Sequence, residues 1–316
     1  MIDKRFASEY RKTVDSIDFP LNYQEKILSD TQVKEKILSF EAANRKGKAG
    51  NYRRYITAAV AAVLVLAVGL SVLFSAGINL KATKEVRIYV ASATNLNCVA
   101  GARIVFIDKQ GEVLTDRKGE TVTAFTDEKG EAVVTIPATE DYTAQIAAQG
   151  YIPLEEASDK GNYYISPVMD KDTYRAVLTW KEECDLDAHL SVTQNGVTEK
   201  VHYFNSDFEN SQGEVVAALD TDSETGATPE TITFNAQEDM KLRFSVASYS
   251  SLKENSNTHL ALSGAKVTLY KGEACVGVYS IGTSAQGNVW CVFEIENSQL
   301  TVCDYTYSVG AIREIK

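Results

Sequence analysis

From Tyr55 to Leu80 the chain reads YITAAVAAVLVLAVGLSVLFSAGINL, 26 residues without one Asp, Glu, Lys or Arg. About 20 helical residues cross a hydrocarbon core about 30 Å thick. A helix on the surface of a soluble domain would carry a polar stripe, and this run has none. It therefore predicts a transmembrane helix over 55–80. A secretory signal fits poorly, because 54 residues precede the run and no A-x-A-like site follows it. Arg45, Lys46, Lys48, Arg53 and Arg54 crowd its N-terminal side, with no acid between Ala42 and Arg54. Basic flanks stay in the cytoplasm. The expected arrangement is a single-pass cell-membrane protein with its N-terminus inside and its C-terminal part outside.

The charge balance follows the same border. Residues 1–80 carry 12 Lys and Arg against 8 Asp and Glu, whereas residues 81–316 carry 20 against 35. An acidic exterior argues against nucleic acid as a partner, since phosphate contacts need Lys and Arg. Inside, residues 1–54 form a short helical segment ending in a basic joint. Phe6, Tyr10, Val14 and Ile17 recur at helical spacing, and Tyr23, Ile27, Val33, Ile37 and Leu38 give a second, broken stripe. Residues 1–44 are too few for a core of their own. They either fray or lie on the membrane, or they dock a cytoplasmic protein.

After Lys81 the period changes to two. Val86, Ile88 and Val90 alternate, as do Ile104 and Phe106, then Ala132, Val134 and Ile136, then Tyr142, Ala144, Ile146 and Ala148. The turn signals DKQG, DRKG and DEKG separate such runs. Short strands with Asp and Gly turns predict a mainly β fold of antiparallel sandwiches. VAGARIVFID (99–108), TDEKGEAVVTIP (126–137) and YTAQIAAQGY (142–151) resemble the carboxypeptidase-regulatory-like, or Cna-B/transthyretin-like, β-sandwich. The resemblance covers about 84–169 and implies a non-catalytic spacer or binding domain, here bounded as 81–170.

A second module follows over 171–316. YRAVLTWKEECDLDAHL (174–190), ALDTDSETGATPETITF (218–234), LRFSVASYS (242–250), SGAKVTLYKG (263–272) and VWCVFEIENSQLTV (289–302) come in an order similar to the YfaP-type bacterial β-sandwich domain. Ala227 and Thr228 depart from that family's turn. The family implies a fold rather than a reaction. Both resemblances imply a bacterial cell-surface setting. All five cysteines follow the apolar run, and no CxxC pair suggests a zinc knuckle. Cys291 and Cys303 lie on two runs joined by ENSQ, which a hairpin would bring together as a bridge or as two buried thiols.

The chemistry-bearing residues are acidic. Asp185, Asp187 and His189 are two apart, so on a strand they share one face while Leu186, Ala188 and Leu190 take the other. Asp220, Asp222 and Glu224 repeat the spacing, and Gly226, Pro229 and Glu230 complete that loop. Two such rows could supply oxygen ligands to a hard divalent cation, calcium above all. Asp185, Asp187, Asp220 and Asp222 are the first candidates, with His189 and Glu224 behind them. Against this stands a solvated acidic turn. With His189, His202 and His259 as the chain's histidines, a multi-histidine zinc site is hard to assemble. The chain carries no G-x-S-x-G, HExxH or Cys–His signature. The expectation is a non-enzymatic, membrane-anchored binding or sensing protein with an extracellular protein or glycan ligand. Its rivals are a transmembrane regulator, since the N-terminal layout is similar to membrane-bound anti-sigma factors, and a metal-dependent envelope hydrolase.

Overall fold

A computed structural model describes residues 83–116, 119–138, 141–157, 161–181, 184–254 and 259–315. The apolar run Tyr55–Leu80, its basic flank and the stripes of residues 1–44 lie outside them. No helix among the described residues is long and apolar enough to cross a membrane.

The described chain is mainly β. In order it forms β1 (Thr83–Ser92), β2 (Arg103–Ile107), β3 (Thr123–Phe125), β4 (Glu131–Pro137), β5 (Thr143–Ala147), β6 (Leu154–Ala157) and β7 (Asn162–Ile165). These make a three-stranded sheet, β4-β1-β7, and a four-stranded sheet, β3-β2-β5-β6. The alternating residues of the sequence meet between them: Ile88, Val90, Ile104, Phe106, Ala132, Ile136, Ala144 and Ile146 are buried in one core with Tyr163 and Ile165. Each large apolar side chain so enclosed contributes about 1.5–3 kcal/mol.

Three similar turns shape this sandwich. Asp127 Oδ1 accepts the N–H groups of Lys129 at 2.8 Å and Glu131 at 2.9 Å. Asp108 does the same for Gln110 and Glu112, and Asp116 for Glu120. Gly130 closes the third turn at φ +75°, and a Cβ there would come within 2.5 Å of the Val90 carbonyl oxygen. Both conformation and space therefore demand glycine.

The remaining elements are β8 (Thr173–Thr179), β9 (Leu186–Gln194), β10 (Val197–Val201), β11 (Asp207–Glu209), β12 (Val215–Thr221), β13 (Glu230–Asn235), β14 (Met240–Ser248), α1 (Tyr249–Glu254), α2 (His259–Leu262), β15 (Lys266–Lys271), β16 (Ala274–Ser280), β17 (Val289–Glu296) and β18 (Gln299–Tyr307). A five-stranded sheet, β10-β9-β14-β17-β18, faces a six-stranded sheet, β11-β12-β13-β8-β15-β16. Trp180, Leu186, Leu190, Ile232, Phe234, Phe244, Trp290 and Phe293 fill the space between. Phe244 and Phe293 stack with ring centroids 5.2 Å apart. Both tryptophans are core residues. The C-terminal segment crosses the outer face of the five-stranded sheet, where Ile315 packs on Ala247 and Val289. Cys291 and Cys303 carry free thiols on the paired strands β17 and β18.

Residues from Lys81 onward form one compact unit. Ala93 and Ile152 pack with Val177 and Tyr270 in a small core of their own. Beside it the buried Arg175 guanidinium donates from Nη1 to Ser166 Oγ and to the Pro167 carbonyl, each at 2.8 Å. Lys266 and Glu156 form a largely buried ion pair. The two sandwich cores thus share an apolar and polar seam.

Candidate metal centre

β9 alternates as its sequence requires: Leu186, Ala188, Leu190 and Val192 enter the core. Asp187 and His189 occupy the opposite face, yet both are buried. The reason lies at the strand's edge. β10 pairs only with Leu190–Gln194, so Leu186–His189 have no strand partner on that side. Glu230 fills the vacated position: its Oε2 accepts the Ala188 N–H at 2.6 Å. Its Oε1 accepts the Ser223 N–H at 3.3 Å, drawing in the loop between β12 and β13.

The same loop brings Asp222. One carboxylate oxygen from each of Asp187, Asp222 and Glu230 lies within 4.8 Å of the others. Asp222 is exposed and the other two are buried, so the cluster opens to solvent on one side. Asp187 is only 6 % exposed, and its Oδ2 has no hydrogen-bond partner in the protein. At an effective dielectric constant of about 20, two full charges at this separation repel by roughly 3 kcal/mol. Protons or a cation must offset that repulsion. Burial, then Asp185 and Asp222, push the Asp187 carboxyl up to about 8. Burial raises Glu230 well above the ordinary carboxylate range, against the lowering effect of the Ala188 N–H. Asp185 is raised by burial and by Glu224 and Asp222, which places those two acids at the rim of the same field.

Asp220 takes another path. The register between β12 and β13 breaks between Leu219 and Thr221. The bulge turns the Asp220 carboxylate to Thr233, whose hydroxyl donates to it, with Arg175 Nε 3.9 Å away. Spacing of two holds a common face only while the ladder is regular. Asp220 sits in the irregularity and Asp222 follows it, so the expected row Asp220–Asp222–Glu224 is divided. His189 also stays out of the cluster. Its ring stacks on His202 with centroids 4.9 Å apart, and neither nitrogen has a protein partner. Burial pushes it down to about 3, leaving the imidazole neutral.

Glu230 is the residue that the spacing of acids did not select. A signal existed in the sequence: Glu230, Ile232 and Phe234 are two apart, and the latter two are core residues. A carboxylate in the inward register of a strand needs a partner or a ligand. Gly226 also has a role beyond the turn, since a Cβ there would come within 2.5 Å of the Trp180 carbonyl oxygen. The loop packs too tightly on Trp180 for any side chain. Next to the acids lies an aromatic row: Tyr203 contacts Phe204 at 4.4 Å and Tyr249 at 6.2 Å between centroids. Phe204 is 81 % exposed.

No family model matches the chain, and no curated protein sequence does. Solved structures give distant likenesses. A protein of unknown function is 13% identical, covering 44% of this chain and 91% of its own, at a TM-score of 0.35. A homologue of a telluride resistance protein from Streptomyces coelicolor A3(2) is 14% identical over the same shares, 44% and 91%, at a TM-score of 0.34. The major pilin subunit of Bacillus cereus is 10% identical and covers 63% of this chain and 67% of its own, at a TM-score of 0.24. Likenesses this remote add nothing to the reading of the site, which rests on its own geometry.

Proposed function

We propose that the chain is a membrane-anchored, extracytoplasmic binding or sensing protein whose distal sandwich holds a divalent cation, calcium by the chemistry of its ligands. The observation that carries the reading is the buried Asp187, whose Oδ2 has no protein partner and whose carboxylate converges with those of Asp222 and Glu230. Carboxylate oxygens without a nearby sulfur or histidine donor suit a hard cation of flexible coordination. The exposed side of Asp222 leaves coordination positions for water or for a ligand. Tyr203, which feels the charge of Asp187 and Asp222, packs on the exposed ring of Phe204, an apolar face for an extracellular protein or glycan. Support for the anchor comes from the uncharged run Tyr55–Leu80 and its basic flank. In this reading the two modules are a carboxypeptidase-regulatory-like spacer and a YfaP-type binding domain, neither enzymatic.

Calcium titration of the full chain in detergent, followed by thermal melting, tests it. A cation at tenfold its dissociation constant stabilises the folded form by about 1.4 kcal/mol. For a unit of this size that raises the melting temperature by about 3–5 °C. No shift at millimolar calcium would remove the cation from the proposal.

A further inference from the structure

Both strands that carry the acid loop are tied to the first sandwich. Thr221, next to Asp222, and Thr231, next to Glu230, both donate their hydroxyls to the carbonyl oxygen of Ala93, at 3.3 and 2.7 Å. The two threonines are register partners, so one oxygen holds the neck of the loop. The crown of the loop is held as well: the Tyr164 hydroxyl donates to the Ala227 carbonyl at 2.6 Å. Ala93 is fully buried and follows β1 directly, and its own N–H donates to Ile165 at 2.9 Å. Asp220, excluded from the carboxylate cluster, belongs to this seam through Arg175, which reaches Ser166 and Pro167.

We infer that the carboxylate cluster and the seam between the sandwiches are one coupled unit, with Tyr164 and the Ala93 carbonyl as positioning groups for the cation ligands. The inference rests on the cation reading above. Its physical basis is direct. When all three carboxylates are ionised they repel, and the loop is held against the edge of β9 by the Glu230 carboxylate on the Ala188 N–H and by the first sandwich. A cation turns that repulsion into attraction and draws Asp222 and Glu230 toward Asp187. Their neighbours Thr221 and Thr231 are then held more firmly in the bonds they already make to Ala93. Coupling of this kind is reciprocal: whatever tightens the seam raises cation affinity by the factor with which the cation tightens the seam. β1 is ten residues long and starts at Thr83, three residues after the apolar run. One strand therefore joins the seam to the chain that precedes the sandwiches.

The test uses the full chain in detergent, with calcium as the probe. Isothermal calorimetry of Tyr164→Phe and Thr231→Val should show about fivefold weaker calcium binding for each, the equivalent of one hydrogen bond of about 1 kcal/mol. Hydrogen exchange of the wild-type chain should show calcium slowing the amides of Ala93 and of Met169, which packs on the seam core and donates to the Gly272 carbonyl at 3.3 Å, as well as those of the loop. The protection should vanish in Asp187→Asn. Wild-type affinity in both hydroxyl variants, with protection confined to residues 185–188 and 222–230, would overturn the coupling and leave the cation site standing. No heat and no protection anywhere would overturn the cation reading itself. Should either variant unfold, the wild-type exchange pattern decides alone.

Discussion

The Asp-led turns of the first sandwich and the acid loop of the second use the same residue types to opposite ends. Asp127 is exposed, and the N–H groups of Glu131 and Lys129 hold its carboxyl below the ordinary range. Its oxygens have work within the turn. Asp187 is buried among other acids, has an oxygen with no protein partner, and is pushed up to about 8. An acidic stretch is structural where backbone N–H groups converge on the carboxylate. It becomes a candidate cation site where carboxylates converge on each other. Asp220 marks the boundary inside the second sandwich itself: one bulge turns it from the cluster to a hydroxyl and a guanidinium.

The largest effect expected is at Asp187. Asp187→Asn should abolish the calcium-dependent rise in melting temperature, because the cluster loses its buried ligand charge. An undiminished rise would break the contrast between the two kinds of acid. The pH dependence comes next. The folded state holds a proton on Asp187 up to about pH 8, whereas an unfolded carboxyl releases it near the ordinary value of 3.8. The folded state therefore binds more protons across this window, and calcium-free stability should fall as pH rises from about 4 to 8. The slope reaches at most about 1.4 kcal/mol per pH unit for one proton. Calcium should flatten that fall, and so should Asp187→Asn. Melting curves at pH 5 and pH 8, with calcium and with chelator, read it out.

Asp127→Ala should lower the melting temperature through two lost turn hydrogen bonds, with the calcium response unchanged. A loss of calcium affinity there would mean that the turn acids are not merely structural. The smallest effect is expected at Asp220. Asp220→Asn keeps an acceptor for Thr233, so calcium stoichiometry should be preserved in calorimetry and affinity should change by no more than a few fold. Loss of binding would return Asp220 to the ligand set.

Much of this was legible in the chain. Val86, Ile88 and Val90 or Leu186, Ala188 and Leu190 announce strands, and the DxxG turns announce the hairpins between them. The shared face of Asp187 and His189 was also legible, since both lie on one regular strand. The carboxylate cluster was only half legible. Asp187 and Asp222 stood among the candidates, while Glu230 lay in an inward register that a search for rows of acids passes over. The aromatic row of Tyr203, Phe204 and Tyr249 joins two distant segments, and neither alone signals the other.

The sequence by itself determined the strand periodicity, the acidic character of everything after the apolar run, and the glycines at Gly130 and Gly226 where backbone must turn or approach closely. The periodicity and the charge are local properties, whereas the need for glycine at Gly130 and Gly226 comes from Val90 and Trp180, brought close only by folding. Tertiary structure alone decided which acids meet. The open edge of β9, the bulge at Asp220 and the grip of Ala93 on the loop's neck all follow from pairing between segments dozens of residues apart. A one-residue change of register moves a side chain to the other face of its sheet, and no local pattern of charges records that choice.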